Sequence, residues 1–165
     1  MDKSLSFEET IERHKGLLYK VVNIYCRNED DKNDLLQEIK IQLWKSFDRY
    51  NAEYKLSTWI YRISLNVAIS FYRKNAARKN QTVSIEENET GVESSRNFEK
   101  NVQLRLLEKF IGELRELDKA LMILYLDGKN QSEIAEILGI SATNVSTKIG
   151  RIKEKLKERF LTEGG

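Results

Sequence analysis

The sequence predicts an all-α chain arranged as two small helical domains joined by a flexible acidic linker. Three observations carry that prediction. The 165 residues contain no proline and only eight scattered glycines, so long unbroken helices are allowed and a turn-rich β fold is disfavoured. Apolar residues recur at spacings of three and four in separate stretches, the period of a helix with one buried face. Over residues 81–101 that period stops in an acidic stretch poor in large apolar side chains, which is linker composition. The division is therefore 1–80, 81–101 and 102–165. With 40% hydrophobic and 33% charged residues the chain is expected to fold, although each half is small enough that its core must be well packed.

The first segment opens on Ser6-Phe7-Glu8-Glu9, the S-x-x-E spacing of a capping box. This places a helix start at Ser6, followed by one helix through Ile11, Leu17, Leu18, Val21 and Val22. Cys26, the single cysteine, lies among apolar residues with no thiol partner and is expected to be a small buried hydrophobe. Residues 27–32 read as a charged turn. Leu35, Leu36, Ile39, Leu43, Trp44 and Phe47 then form one apolar stripe, a second helix. Residues 48–57 break the period and read as a loop. Thr58 is placed to cap a third helix, with Trp59, Ile60, Ile63, Val67 and Phe71 as its buried face and Arg62, Asn66, Arg73 and Lys74 elsewhere. That helix ends in the basic run RKNAARK. Beyond the linker, Leu104, Leu107, Ile111 and Leu114 return to helical spacing.

Residues 130–153 read NQSEIAEILGISATNVSTKIGRIK, the spacing of a helix-turn-helix. Ile134, Ile137 and Leu138 give a short helix its apolar face, and Ala135 is small where a second helix must cross closely. Gly139 permits the positive φ of a tight turn, Ile140 plugs the corner and Ser141 caps the next helix. Val145, Ile149, Ile152 and Leu156 supply the buried stripe of that helix. Ala142, Thr143, Asn144, Ser146, Thr147, Lys148 and Arg151 are left facing outward near its amino end, where side chains reach base edges and phosphates in a major groove. Any antiparallel helix pair with a glycine corner shares part of this pattern. The full set of Ala135, Gly139, Ser141 and Val145 favours the DNA-binding motif.

The formal net charge of +2 conceals an uneven distribution. Residues 1–80 carry 15 basic against 11 acidic side chains, residues 81–99 one against five, and residues 100–165 twelve against ten, so two basic ends flank an acidic middle. No apolar run approaches the ~20 residues that span a bilayer, and the start MDKSLSFEET lacks the hydrophobic core of a signal peptide. A cytoplasmic protein without direct membrane insertion is expected. Nothing reads as a phosphate loop or a metal cluster, and the only histidine, His14, has neither a cysteine nor a second histidine near it. No catalytic residue, metal site or cofactor is therefore expected.

The order Asp34-Leu35-Leu36-Gln37-Glu38, Leu43-Trp44, Thr58-Trp59-Ile60-Tyr61-Arg62-Ile63 and Asn66 resembles the extracytoplasmic-function (ECF) group of bacterial RNA polymerase sigma factors. The likeness runs over nearly the whole chain, with a region-2-like domain from about residue 7 to 78 and a region-4-like domain from about 102 to 160. It implies that Asp34, Leu35, Gln37 and Glu38 contact core RNA polymerase. It further implies that Tyr50, Asn51, Ala52, Glu53, Tyr54, Lys55 and Leu56 form a loop capturing single-stranded minus-ten promoter DNA, with Tyr61, Arg62 and Asn66 nearby. Two tyrosines in such a loop suit base stacking.

Arg73, Lys74, Arg78 and Lys79 fit either a phosphate-tracking end or a plain solvated one. Trp44, Phe47 and Trp59 are expected to be core, and Tyr61 fits core or contact equally. Ser141, Thr143, Asn144, Ser146, Thr147, Lys148 and Arg151 would then read duplex DNA at the minus-35 element. Ser146 and Lys148 depart from the basic residue and the arginine that many members carry, so fewer or shifted contacts at the minus-35 element are expected. An anti-sigma factor, often membrane-bound in the family, is a further implied partner. The alternatives are a conventional helix-turn-helix regulator of duplex operators, and an enzyme carrying such a motif; the second lacks a cluster of catalytic carboxylates or histidines.

Overall fold

Eight helices carry the fold of the described residues, and no strand occurs among them. The computed structural model describes residues 3–50, 53, 55–81 and 102–164. The predicted linker, apart from Gln81, lies outside these. The chain divides into two units, Met1–Arg73 and Lys74–Gly165.

In the first unit, α1 (Lys3–Arg13) already runs at Lys3, so Ser6 is not its cap. The Ser6 carbonyl instead accepts the Thr10 hydroxyl at 2.8 Å, a bond made inside a helix. The single helix expected from Ile11 to Val22 is interrupted at His14 (φ −111°, ψ 20°), and α2 (Lys15–Tyr25) begins after it. His14 Nδ1 also donates to the Thr10 carbonyl at 2.9 Å, sharing an acceptor that takes the His14 amide at 3.1 Å. Across this break Lys15 Nζ lies 2.7 Å from Glu12 Oε2. The hydrogen bond and the charge attraction hold the Glu12 carboxyl below its ordinary range and raise the Lys15 ammonium.

Helix α2 buries Leu18, Val21, Val22 and Tyr25, and Cys26 at its end is 6% exposed. Residues 29–32, expected in a turn, belong to α3 (Glu29–Ser46). Asn28 is its cap, its Oδ1 accepting the Asp31 amide at 2.7 Å. Glu29, Asp30 and Asp31 occupy the first turn, where carboxylates favour the positive end of the helix. Leu35, Ile39 and Leu43, four apart, are buried beneath α3. Trp44, expected in the core, is 39% exposed and meets Phe7 edge-on. It lies one position round from Leu43, about 100° away, so the two cannot share a face.

A short 3-10 turn, Phe47–Arg49, leads out of α3. Helix α4 (Leu56–Gln81) starts before Thr58. The Trp59 amide already donates to the Lys55 carbonyl at 3.1 Å, so Thr58 sits buried in the first turn. The buried face of α4 is Thr58, Ile60, Tyr61, Ser64, Leu65 and Ala68, whereas Trp59, Ile63, Val67 and Phe71 are half-buried. Apolar residues lie nearly all round this helix, and of the face expected from the spacing Ile60 is buried while the other four are half-buried.

The second unit holds α5 (Val102–Gly112), α6 (Glu116–Leu126), α7 (Gln131–Leu138) and α8 (Ala142–Arg159). Helix α5 buries Phe110 and Ile111, with Leu114 just beyond it, while Leu104 is exposed. Helix α6 buries the run from Ala120 to Leu124 together with Lys119. At the far end of α8, Phe160 meets Phe110 edge-on with centroids 5.0 Å apart. The Arg159 guanidinium lies 4.3 Å from the Phe110 ring centroid and pairs with Glu113. Among the described residues no helix is long and apolar enough to cross a membrane.

Candidate nucleic-acid interface and docking face

The α7–α8 corner is held by backbone chemistry at three points. Asn130 Oδ1 accepts the Glu133 amide at 2.9 Å while Glu133 Oε1 accepts the Asn130 amide at 3.0 Å, a reciprocal cap that starts α7. Gly139 follows α7 at φ 74°. Its amide and that of Ile140 both donate to the Ala135 carbonyl, at 2.8 and 3.2 Å, which closes the helix end and turns the chain. Ser141 Oγ accepts the Asn144 amide at 3.1 Å and starts α8.

With this corner fixed, Val145, Ile149, Ile152 and Leu156 are buried, as the spacing predicts. Ser141, Ala142, Thr143, Asn144, Ser146, Thr147 and Arg151 are exposed, and Lys148 is half-buried. These residues lie on the first turns of α8, whose positive dipole end at Ser141 and Ala142 is suited to phosphate. Further along α8, Lys153 Nζ donates to Tyr125 Oη at 3.0 Å and lies 4.9 Å from that ring's centroid. This brace to α6, like the Asn130–Glu133 cap, is absent from the sequence reading. The cap was visible as N-x-x-E before an apolar pair.

On α3, Asp34, Gln37 and Glu38 are all exposed. Leu35 is not: it is fully buried, because the same rotation that turns its neighbours outward turns it under the helix. The exposed face continues through Ile41, 46% exposed, to Trp44 and Lys45. Ile41 follows Gln37 by four residues, so projecting the helix from Gln37 identifies it.

Of the expected loop, Asn51, Ala52 and Tyr54 lie outside the described residues. Glu53 and Lys55 are exposed, and Leu56 is half-buried at the start of α4. Tyr50 is half-buried against Trp59, ring centroids 5.2 Å apart. Asn66 and Arg73 are exposed and Arg62 half-buried; spacings of four and seven set them on one strip of α4. Lys74 is exposed as well. The side chains of Arg78 and Lys79 lie outside the described ones. Tyr61 belongs to the core, only 1% exposed. Its position shares a face with the buried Leu65 and Ala68, four and seven residues on, so a helix that turns Arg62 and Asn66 outward must turn Tyr61 inward. Among the described residues no group of His, Cys, Asp and Glu could hold a metal ion.

Comparison with known families places two matches along the chain. Residues 10–78 match the model of sigma-70 region 2, and residues 104–156 that of sigma-70 region 4. The sigma factor SigZ of Bacillus subtilis is 30% identical over 132 residues, spanning 80% of this chain and 73% of that one. The ECF sigma factor SigW of the same organism is 25% identical, over 94% of this chain and 89% of its own. The chain belongs to the ECF group of sigma-70 factors. This sigma factor also shares its fold with solved relatives. RpoE of Bartonella quintana, in complex with the anti-sigma factor NepR, matches with TM-score 0.78 and 17% identity over 96% of this chain and 98% of that one. CnrH, in complex with the cytosolic domain of CnrY, matches with TM-score 0.69 and 20% identity over 97% and 90%. Sigma factors are transcription initiation factors, and the helix-turn-helix sits within the region 4 match.

Proposed function

We propose that this sigma factor docks on core RNA polymerase through α3, reads duplex minus-35 DNA with α8, and holds melted minus-ten DNA at the loop before α4. Residues 1–80 act as the polymerase-binding and melting domain, 81–101 as a linker and 102–165 as the minus-35 domain. The observation that carries the reading is the exposed trio Asp34, Gln37 and Glu38 on one side of a helix anchored by Leu35, Ile39 and Leu43. Carboxylates and an amide held on a rigid face suit arginine-bearing partner helices.

In the proposed mechanism Tyr50, Glu53 and Lys55, with Asn51, Ala52 and Tyr54, take the exposed bases. Arg62, Asn66, Arg73 and Lys74 follow the strand, contributing stacking, edge contacts and phosphate neutralisation. Tyr61 supports that helix from inside. Thr143, Asn144, Ser146, Thr147, Lys148 and Arg151, with Ser141, meet the minus-35 duplex. The sigma factor carries no chemistry of its own. Its differential affinity for opened promoter in the polymerase complex shifts the melting equilibrium, and nucleotide addition belongs to polymerase. It works in the cytoplasm, and an anti-sigma factor, the kind of partner seen with RpoE, holds it inactive.

The test adds purified protein to core polymerase and a fragmented genomic library, with run-off transcripts sequenced. Transcripts starting downstream of shared motifs are expected. Duplex binding without any transcript would overturn the reading in favour of a conventional regulator.

A further inference from the structure

The docking face and the base-capturing loop are joined by rings. Trp44, at the exposed end of the α3 face, meets Phe7 of α1 with centroids 5.1 Å apart and planes at 79°. Phe7 also meets Phe47, on the turn just after α3, at 5.4 Å and 80°. Phe47 lies 6.2 Å from Trp59 on α4, and Trp59 lies 5.2 Å from Tyr50 at the start of the loop. None of these five rings is fully buried, so they form a half-exposed line along the surface of the first unit rather than part of its core. Phe7 is the member contributed by α1, and its ring touches both Trp44 at the end of α3 and Phe47 on the turn that follows.

We propose that Phe7 is a positioning residue for promoter opening. It ties Trp44, on the face that polymerase covers, to Phe47 and so, through Trp59, to Tyr50. Edge-to-face pairs have a preferred geometry, so a partner that fixes the Trp44 ring also narrows the positions open to Phe7 and Phe47. The Tyr50 ring is then held in place for base capture when the docking face is occupied. The proposal rests on the reading of α3 as the polymerase-docking face. It adds that α1, through Phe7, contributes to the opening step.

The experiment uses the full chain with core polymerase and a promoter carrying 2-aminopurine in the minus-ten element, whose fluorescence rises as the base unstacks. Phe7→Leu keeps an apolar side chain and removes both ring contacts; Phe7→Tyr keeps the ring. Core affinity is measured separately by competition against a labelled sigma factor, and thermal melting establishes that each variant is folded. Phe7→Leu is expected to leave core affinity within about twofold and to lower opening about tenfold, the size of effect that two edge-to-face contacts supply. Phe7→Tyr is expected to restore opening. Equal loss of core affinity and opening would overturn the proposal by making α1 part of the docking face, as would unchanged opening or failure of Phe7→Tyr to rescue. Should wild-type protein itself neither bind core nor raise the fluorescence, the function proposed above fails first.

Discussion

Gly139 shows how a single backbone angle sets the DNA-facing geometry. Its φ of 74° lies in the left-handed region, which costs a residue with a Cβ about 1–2 kcal/mol. Gly139→Ala is therefore expected to lower the melting temperature of the second unit by several degrees, at roughly 4–8 °C per kcal/mol for a small domain, as read by circular dichroism. This corner was legible in the sequence because its determinants are local: a glycine, a serine two residues later and apolar residues at fixed offsets. Tyr61 was not legible, because aromatics at 59 and 61 compete for the interior of α4 and only packing decides between them. A second expectation follows from its burial. Tyr61→Ala should destabilise the first unit by about 3–5 kcal/mol through the cavity it leaves, whereas Asn66→Ala should change stability by no more than about 0.5 kcal/mol and instead weaken binding to minus-ten single strands. Chemical denaturation paired with a fork-DNA binding assay separates the two.

Elements bring these residues into working surfaces. Helix α3 presents Asp34, Gln37 and Glu38 on an exposed face while its opposite side anchors it. The triple replacement by alanine is expected to leave unfolding nearly unchanged and to weaken core polymerase binding by at least about 2 kcal/mol, the lower end for breaking buried charged pairs; competition binding reads it directly. On α8, Lys148→Ala and Arg151→Ala should each reduce the steepness of salt dependence by about 0.9 in log–log slope if each meets a phosphate. An unchanged slope in holoenzyme–promoter titrations would remove that residue from the interface. Helix existence was legible from spacing, and boundaries were less so. The run Glu29-Asp30-Asp31-Lys32 looks like a turn by composition, yet acids gather in a first turn for electrostatic reasons and Asn28 caps it. The break at His14 is accompanied by an imidazole–carbonyl bond that no periodicity records.

Over the whole molecule, charge is nearly balanced, at +2. The free chain is therefore expected to bind duplex promoter only at the non-specific level of about 10⁻⁴–10⁻⁶ M at physiological salt, and to gain promoter specificity with core polymerase present. Nanomolar duplex binding by the pure protein in a mobility-shift assay would contradict this. The two-domain plan was legible because a composition change marks the chain between two helical stretches, and both region matches fall on either side of it. The line of rings from α1 to Tyr50 was not, since Phe7, Trp44, Phe47 and Trp59 come together only in three dimensions.

The single thiol offers a gauge of these events. Because Cys26 is sequestered at the end of α2 in the first unit, an alkylating reagent can reach it only when that region transiently opens. The labelling rate thus reports the fluctuations of the first unit, unmixed with any signal from the other. Slower labelling once polymerase is bound would measure how far assembly quiets that half.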